Sequence, residues 1–211
     1  MSDPLPLVPA LIERAYEHLH ETVVVHQLVA EQCLRQLALA TQVISEAFLS
    51  GHKLLLCGNG GSAADCQHVA AEFVSRLRAD LERPGLPAIA LTTDTSFLTA
   101  FANDCGFDGV FARQLQALGQ DGDVLLAIST SGRSANVLLA LDAARTAGVR
   151  TIGLFGEMGG QLGEVDVPIV IPSRNTQVIQ ECMLSIEHTL CELVEESLFG
   201  DLRPGVRGAT P

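Results

Sequence analysis

The sequence predicts an α/β protein, a parallel five-stranded sheet with helices on both faces, preceded by an N-terminal helical arm. Three observations lead there. Short apolar runs at 53–57, 88–91, 123–128, 150–155 and 167–171 alternate with longer stretches of helical periodicity, the order that builds a parallel sheet through right-handed crossovers. The run Asp123–Ile128 is continuously apolar after its first residue, as expected of a parallel strand buried on both faces. Hydrophobic residues make up 47% of the chain but aromatics only 4%, with no tryptophan, a composition that favours layered helices and strands over a β-sandwich.

The elements follow in order. Residues 8–22 and 26–50 read as two helices. The second carries an apolar stripe wider than packing on one sheet requires, which fits either a subunit interface or burial within its own domain. Gly51 closes it, as glycine does after a helix. His18, His20 and His26 lie in this arm as surface or interface residues. Strand 53–57 leads through the glycine turn 58–61 to a helix expected over 62–79. The RPGLP turn at 83–87 introduces strand 88–91, and Thr92, Thr93 and Asp94 follow at its end. Helices are expected at 95–102 and 108–118. After strand 123–128 comes the STSGRS loop, 129–134, then helix 135–147, closed by Gly148. Strand 150–155, the EMGGQ loop, strand 167–171 and a long helix over 176–199 complete the core. The tail from 200 onward, rich in glycine, proline and arginine, is expected to fray. One domain is expected over 1–211, with an arm at 1–50, a core at 51–199 and a tail at 200–211.

The chain has 211 residues and a formal charge of −12. That charge excludes a broad nucleic-acid or anionic-membrane surface, so a phosphate site must be local and built from backbone and hydroxyl groups. The six cysteines lack CxxC spacing and read as reduced, mostly buried thiols. No basic-then-apolar leader and no long apolar run occurs, which reads as a soluble, cytoplasmic protein.

Chemistry concentrates at the strand ends. Gly58, Asn59, Gly60 and Gly61 separate a strand from a helix opened by Ser62, with Asp65 placed as in a capping box. Free N–H groups at the positive end of that helix suit an anion. Ser129, Thr130, Ser131 and Ser134 put four hydroxyls between a buried strand and a helix start, where N–H and O–H donors can close around a tetrahedral phosphate. Neither a Walker loop nor a GxGxxG dinucleotide fingerprint is present. Arg133 either adds charge to a phosphate or faces solvent. His68 and Glu72, at i and i+4, share a helix face and can converge on a metal or a substrate, although such pairs are usually a solvated face. Gln180 and His188 stand roughly 12 Å apart along the last helix and about 80° around it. They would meet at one ion only by leaning together or by coming from different subunits. A His/Glu/Gln/His set would suit zinc or another divalent ion.

Taken together, GNGGSAADCQHVAAE, PAIAL, NDCGF, GDVLLAISTSGRSANV and IQECMLSIEH resemble the sugar isomerase (SIS) domain family, and within it the phosphoheptose isomerase family. The resemblance runs in order from about Lys53 to Phe199. It implies a flavodoxin-like three-layer fold and a homotetramer with active sites between subunits. It also implies interconversion of sedoheptulose 7-phosphate and D-glycero-D-manno-heptose 7-phosphate, the first step of ADP- or GDP-heptose biosynthesis and of lipopolysaccharide core or other heptosides. By that resemblance His68, Glu72, Gln180 and His188 are zinc ligands, one ion per site, and Glu72 and His188 are the catalytic base and acid. Asn59, Gly60, Gly61, Ser62, Asp94, Ser129, Thr130, Ser131, Ser134 and Gln180 bind substrate or its phosphate. Two positions depart from the family pattern. Val178 stands where an arginine is frequent, and Arg133 where a small polar residue is. A related SIS adaptor that associates with the replication initiator protein is the alternative reading, and the chain's LCELVEESLF ending resembles it. The presence of both Glu72 and His188 favours the enzyme.

Overall fold

The computed structural model describes residues 8–159 and 165–200. Helices α1 (Pro9–Gln32) and α2 (Leu34–Leu49) form the arm. The core follows as β1 (Leu54–Gly58), α3 (Gly61–Val74), β2 (Ala88–Ala90), α4 (Thr95–Cys105), α5 (Val110–Leu118), β3 (Val124–Ser129), α6 (Ala135–Thr146), β4 (Arg150–Gly156), β5 (Val167–Ile171) and α7 (Thr176–Phe199). The five strands are all parallel, in the order β2-β1-β3-β4-β5.

Strand alternation sorts the core into two layers. Leu54, Leu56, Leu126, Ile128 and Ile152 face α2, α3 and α7. Leu55, Cys57, Leu125, Ala127 and Phe155 face α5 and α6. The two apolar clusters make the fold three-layered, as the sequence predicts.

Three boundaries differ from expectation. The break in the arm falls at Cys33, not at 23–25. The β-branched run Val23–Val24–Val25 stays helical because Val25 is buried, while the Cys33 thiol donates to the Val170 carbonyl at the joint. Helix α3 stops at Val74 instead of continuing to 79, because Leu86 N and Arg83 take over the carbonyl of Phe73. Helix α4 continues to Cys105. Gly51 and Gly148 adopt the positive φ that their closing positions require. Most of the tail and Gly160–Gln161 of the EMGGQ loop lie outside the described residues.

Candidate active site

The chain leaves β1 for β2 on one side and then returns to place β3 on the other. That reversal opens a crevice at the carboxyl ends of β1 and β3, where open parallel sheets receive ligands. The glycine turn and the hydroxyl loop both emerge there. A Cβ at Gly58 would lie 2.8 Å from the Ser62 carbonyl oxygen and 3.0 Å from that of Ile128, so only glycine lets the turn close. Gly60, at φ +58°, is the N-cap of α3, and the helix begins at Gly61. Ser62 is therefore buried inside the first turn and makes no capping bond. This corrects the expected capping box, and the reason is that Asp65 is turned to another partner.

The two loops are tied together by side-chain amides. Asn59 Nδ2 donates to Asn136 Oδ1, and Asn136 Nδ2 donates back to Asn59 Oδ1, each at 2.8 Å. Sequence reading did not single out Asn136; an amide in the first turn of a helix after a hydroxyl loop was the available signal. In the loop, Ser129 Oγ accepts from Gly132 N at 3.1 Å and lies 3.2 Å from Ser134 Oγ. Ser131 Oγ accepts from Arg133 N at 3.2 Å. Ser129 and Ser134 thus shape the loop, Thr130 and Ser131 are half-buried on it, and Arg133 is exposed. At the end of β2, Asp94 is exposed and caps α4 by accepting from Phe97 N at 3.0 Å. Thr92 beside it donates to the Ala63 carbonyl at 3.2 Å, so this loop rests on the first turn of α3.

Helices α3 and α7 pair in the same direction. Ser62 and Asp65 meet Gln180, His68 meets His188, and Leu77 meets Glu195. The Nε2 atoms of His68 and His188 approach to 2.7 Å, with the rings edge-on at 73°. On the other side of the His68 ring, Nδ1 is 3.6 Å from Glu72 Oε1. His68, Glu72 and His188 therefore form one contiguous group. Gln180 stands apart from it. Its Nε2 donates to Asp65 Oδ2, and its Oε1 lies 3.4 Å from Ser62 Oγ as acceptor. Gln180 also packs close to Gly61, where a Cβ would be 3.1 Å from its Oε1. Val178 is fully buried core, with no polar role at the position where the family pattern has an arginine.

Two carboxyls near this group are perturbed. Burial raises the pKa of Asp65, and this is partly offset by the Gln180 donor and by His68. Glu187 is fully buried, and both of its carboxyl oxygens lack a hydrogen-bond partner among the described residues. Burial, and next the charge of Asp65, push it up to about 8. Burial thus favours its protonated form, on α7 one residue before His188.

The donor set suits a divalent ion in its chemistry, with two imidazoles turning nitrogens toward each other, a carboxylate beside one of them and an amide about two helical turns away on α7. Among the described residues no group of three or more His, Cys, Asp or Glu side chains is gathered tightly enough to hold a metal ion. Glu72 faces Nδ1 of His68, not the Nε2 side, and Gln180 is engaged by Asp65.

The SIS domain family model matches residues 17–156. The chain is 58% identical over 163 residues to a phosphoheptose isomerase of Roseiflexus sp. (strain RS-1), covering 77% of this chain and 81% of that protein. It is 48% identical over 194 residues to that of Geotalea daltonii, covering 92% of this chain and 100% of the relative. The solved structure of phosphoheptose isomerase from Neisseria gonorrhoeae superposes with a TM-score of 0.82 at 40% identity, covering 88% of this chain and 99% of that one.

Proposed function

The chain belongs to the SIS domain family and within it to the phosphoheptose isomerases, and on that footing we propose that Glu72 and His188 carry its proton transfers. The enzyme is an aldose–ketose isomerase. It interconverts sedoheptulose 7-phosphate and D-glycero-D-manno-heptose 7-phosphate, at the entry to activated-heptose biosynthesis. The adaptor reading is not favoured.

The reaction moves one proton between adjacent carbons through an enediol. From the ketose side, the base takes a proton from C1 while the C2 oxygen gains one. The enediol then returns a proton to C2 as the C1 hydroxyl loses its own and becomes the aldehyde. Glu72, whose side chain is 19% exposed, is the base. His188 exchanges protons with the substrate oxygens, and its partner His68 sets which of the two rings carries the Nε2 proton. The backbone and hydroxyls of Gly60, Gly61, Ser62, Ser129, Thr130, Ser131 and Ser134 hold the phosphate at the starts of α3 and α6. Asn59, Asp94 and Gln180 line the sugar. Phosphate binding remote from the reacting carbons orients them and excludes water.

His68, Glu72, Gln180 and His188 would hold one zinc ion, with Glu72 and Gln180 turning from their present neighbours. When bound, zinc would act as a Lewis acid toward the substrate oxygens. A homotetramer with sites between subunits is part of the proposal. It is supported by an exposed apolar stripe on α1 formed by Ile12, Tyr16, Leu19 and Val23, with Tyr16 67% exposed. No helix among the described residues is long and apolar enough to cross a membrane. Cytoplasmic residence belongs to the same proposal.

The observation that carries this reading is the contiguous His68–Glu72–His188 group beside the phosphate loops. Turnover of sedoheptulose 7-phosphate by the purified protein, with added Zn²⁺ and after chelation, tests it. Metal-dependent formation of the aldose is expected. Absence of turnover by folded, zinc-supplied protein contradicts it.

A further inference from the structure

Away from the substrate crevice, one arginine is committed wholly to the far end of α3. The side chains of Arg83 and Glu195 are both fully buried, and their charged groups lie 2.8 Å apart. Arg83 Nε and Leu77 N donate to the same Glu195 oxygen, at 2.8 and 3.0 Å. Nη2 also lies 2.8 Å from that oxygen, and both terminal nitrogens reach backbone carbonyls. One terminal nitrogen donates to the carbonyl of Glu72 at 2.8 Å, and the other donates to those of Phe73 at 2.8 Å and Pro84 at 3.0 Å.

Helix α3 ends at Val74, so the carbonyls of its last turn have no helical donors. Ser75 N takes that of Ala71, Arg83 takes that of Glu72, and Arg83 shares that of Phe73 with Leu86 N. A cation at a helix C-terminus also matches the helix dipole. What distinguishes this cap is where its other end is anchored. Glu195 stands two turns beyond His188 on α7, nearly on the same face. One ion pair therefore links the main chain of Glu72 to the helix that bears His188. Burying such a pair is expensive, and apolar residues of like size stabilise a fold at least as well. A guanidinium fork provides something apolar packing does not, a fixed spacing of several carbonyls at once.

We propose that Arg83, anchored by Glu195, is a positioning residue that sets Glu72 at its working distance from the substrate carbon and from His188. This rests on the reading of Glu72 as base. Neither Arg83 nor Glu195 touches the reacting atoms in this account; both act through the backbone of Glu72.

Three variants of the full-length protein test it, assayed at saturating Zn²⁺ for kcat, KM and unfolding midpoint: Arg83→Lys, the double variant Arg83→Met/Glu195→Met, and Glu72→Gln. Lysine keeps the charge opposite Glu195 but cannot reach the Glu72 and Phe73 carbonyls together. The double variant removes both charges and keeps the packing. The expected result is a kcat lowered at least ~10-fold in both Arg83 variants, with KM within about twofold and the unfolding midpoint of at least one variant at the parental value. A kcat within about twofold of the parent in either folded variant overturns the proposal. So does loss of folding in both, since the pair would then hold the fold and not the base. Glu72→Gln separates the two readings. If it is inactive while the Arg83 variants are fully active, positioning fails and the base stands; if it is fully active, the base assignment itself fails.

Discussion

Asp65 accepts the side-chain amide of Gln180 across the α3–α7 interface instead of capping the helix on which it sits. The contact fixes the Gln180 amide with its nitrogen toward Asp65 and its oxygen toward Ser62 and the crevice. A residue that reads as a local helix signal is thus an orienting partner for a residue 115 positions later in the chain.

Asp65→Ala leaves Gln180 free to rotate. A side chain that orients a ligand-binding residue through a hydrogen bond is worth about 10- to 100-fold in ligand affinity or activity. The expected outcome is a drop of about tenfold in kcat/KM, with little change in the unfolding midpoint because Asp65 is only half-buried. Steady-state kinetics beside thermal unfolding checks this, and an unchanged kcat/KM would remove Asp65 from the site.

Glu187 should contribute to the pH dependence of stability. Its folded pKa, about 8, lies above the ordinary carboxyl value of 4.5. In that window the folded chain keeps a proton the unfolded chain has released. The stabilisation is full below pH 4.5 and is lost as pH rises through about 8. Glu187→Met removes the titration and should raise stability at pH 8 by about 2 kcal/mol or more, flattening the profile between pH 5 and 8. Denaturant unfolding at the two pH values measures it. A variant with the parental pH profile would show that Glu187 does not titrate in this range.

Thiol labelling should distinguish Cys105 from the core cysteines. Cys105 is exposed, whereas burial pushes Cys57 up to about 12 and Cys66 well above its ordinary range. Since the thiolate is the reactive form, a maleimide at pH 7 should modify Cys105 first in native protein, and Cys57, Cys66 and Cys191 only on unfolding. Mass spectrometry of the labelled peptides reads the order, and early labelling of Cys57 would contradict the burial of β1.

The layered fold was legible because buried parallel strands leave continuous apolar runs such as Val124–Ile128, and because glycines fall where φ is positive, as at Gly51 and Gly148. The glycine turn and the hydroxyl loop were legible for the same reason, since strand, glycine turn and helix start announce themselves locally. What escaped reading depends on partners distant in sequence. The break at Cys33 follows from its contact with Val170, and the early end of α3 follows from Arg83. His68 and Glu72 were readable as a pair by spacing alone, but the contact of His68 with His188 needs the pairing of α3 with α7. The buried, unpartnered Glu187 looked like any acid on a helix that also carries Glu181 and Glu192. Gln180 and His188 raised the question of one shared ion; in this chain they face different neighbours, Asp65 and His68.

The central claim is that Glu72 takes the carbon-bound proton, and it is tested most directly by exchange with solvent. Sedoheptulose 7-phosphate is incubated in D₂O with the parent enzyme and with Glu72→Gln, at saturating Zn²⁺, and followed by proton NMR. The parent is expected to incorporate deuterium at C1 and to form the aldose. Glu72→Gln should do neither at a rate above about 1% of the parent, while still binding the sugar phosphate. Deuterium incorporation by Glu72→Gln at the parental rate would contradict the assignment of the base.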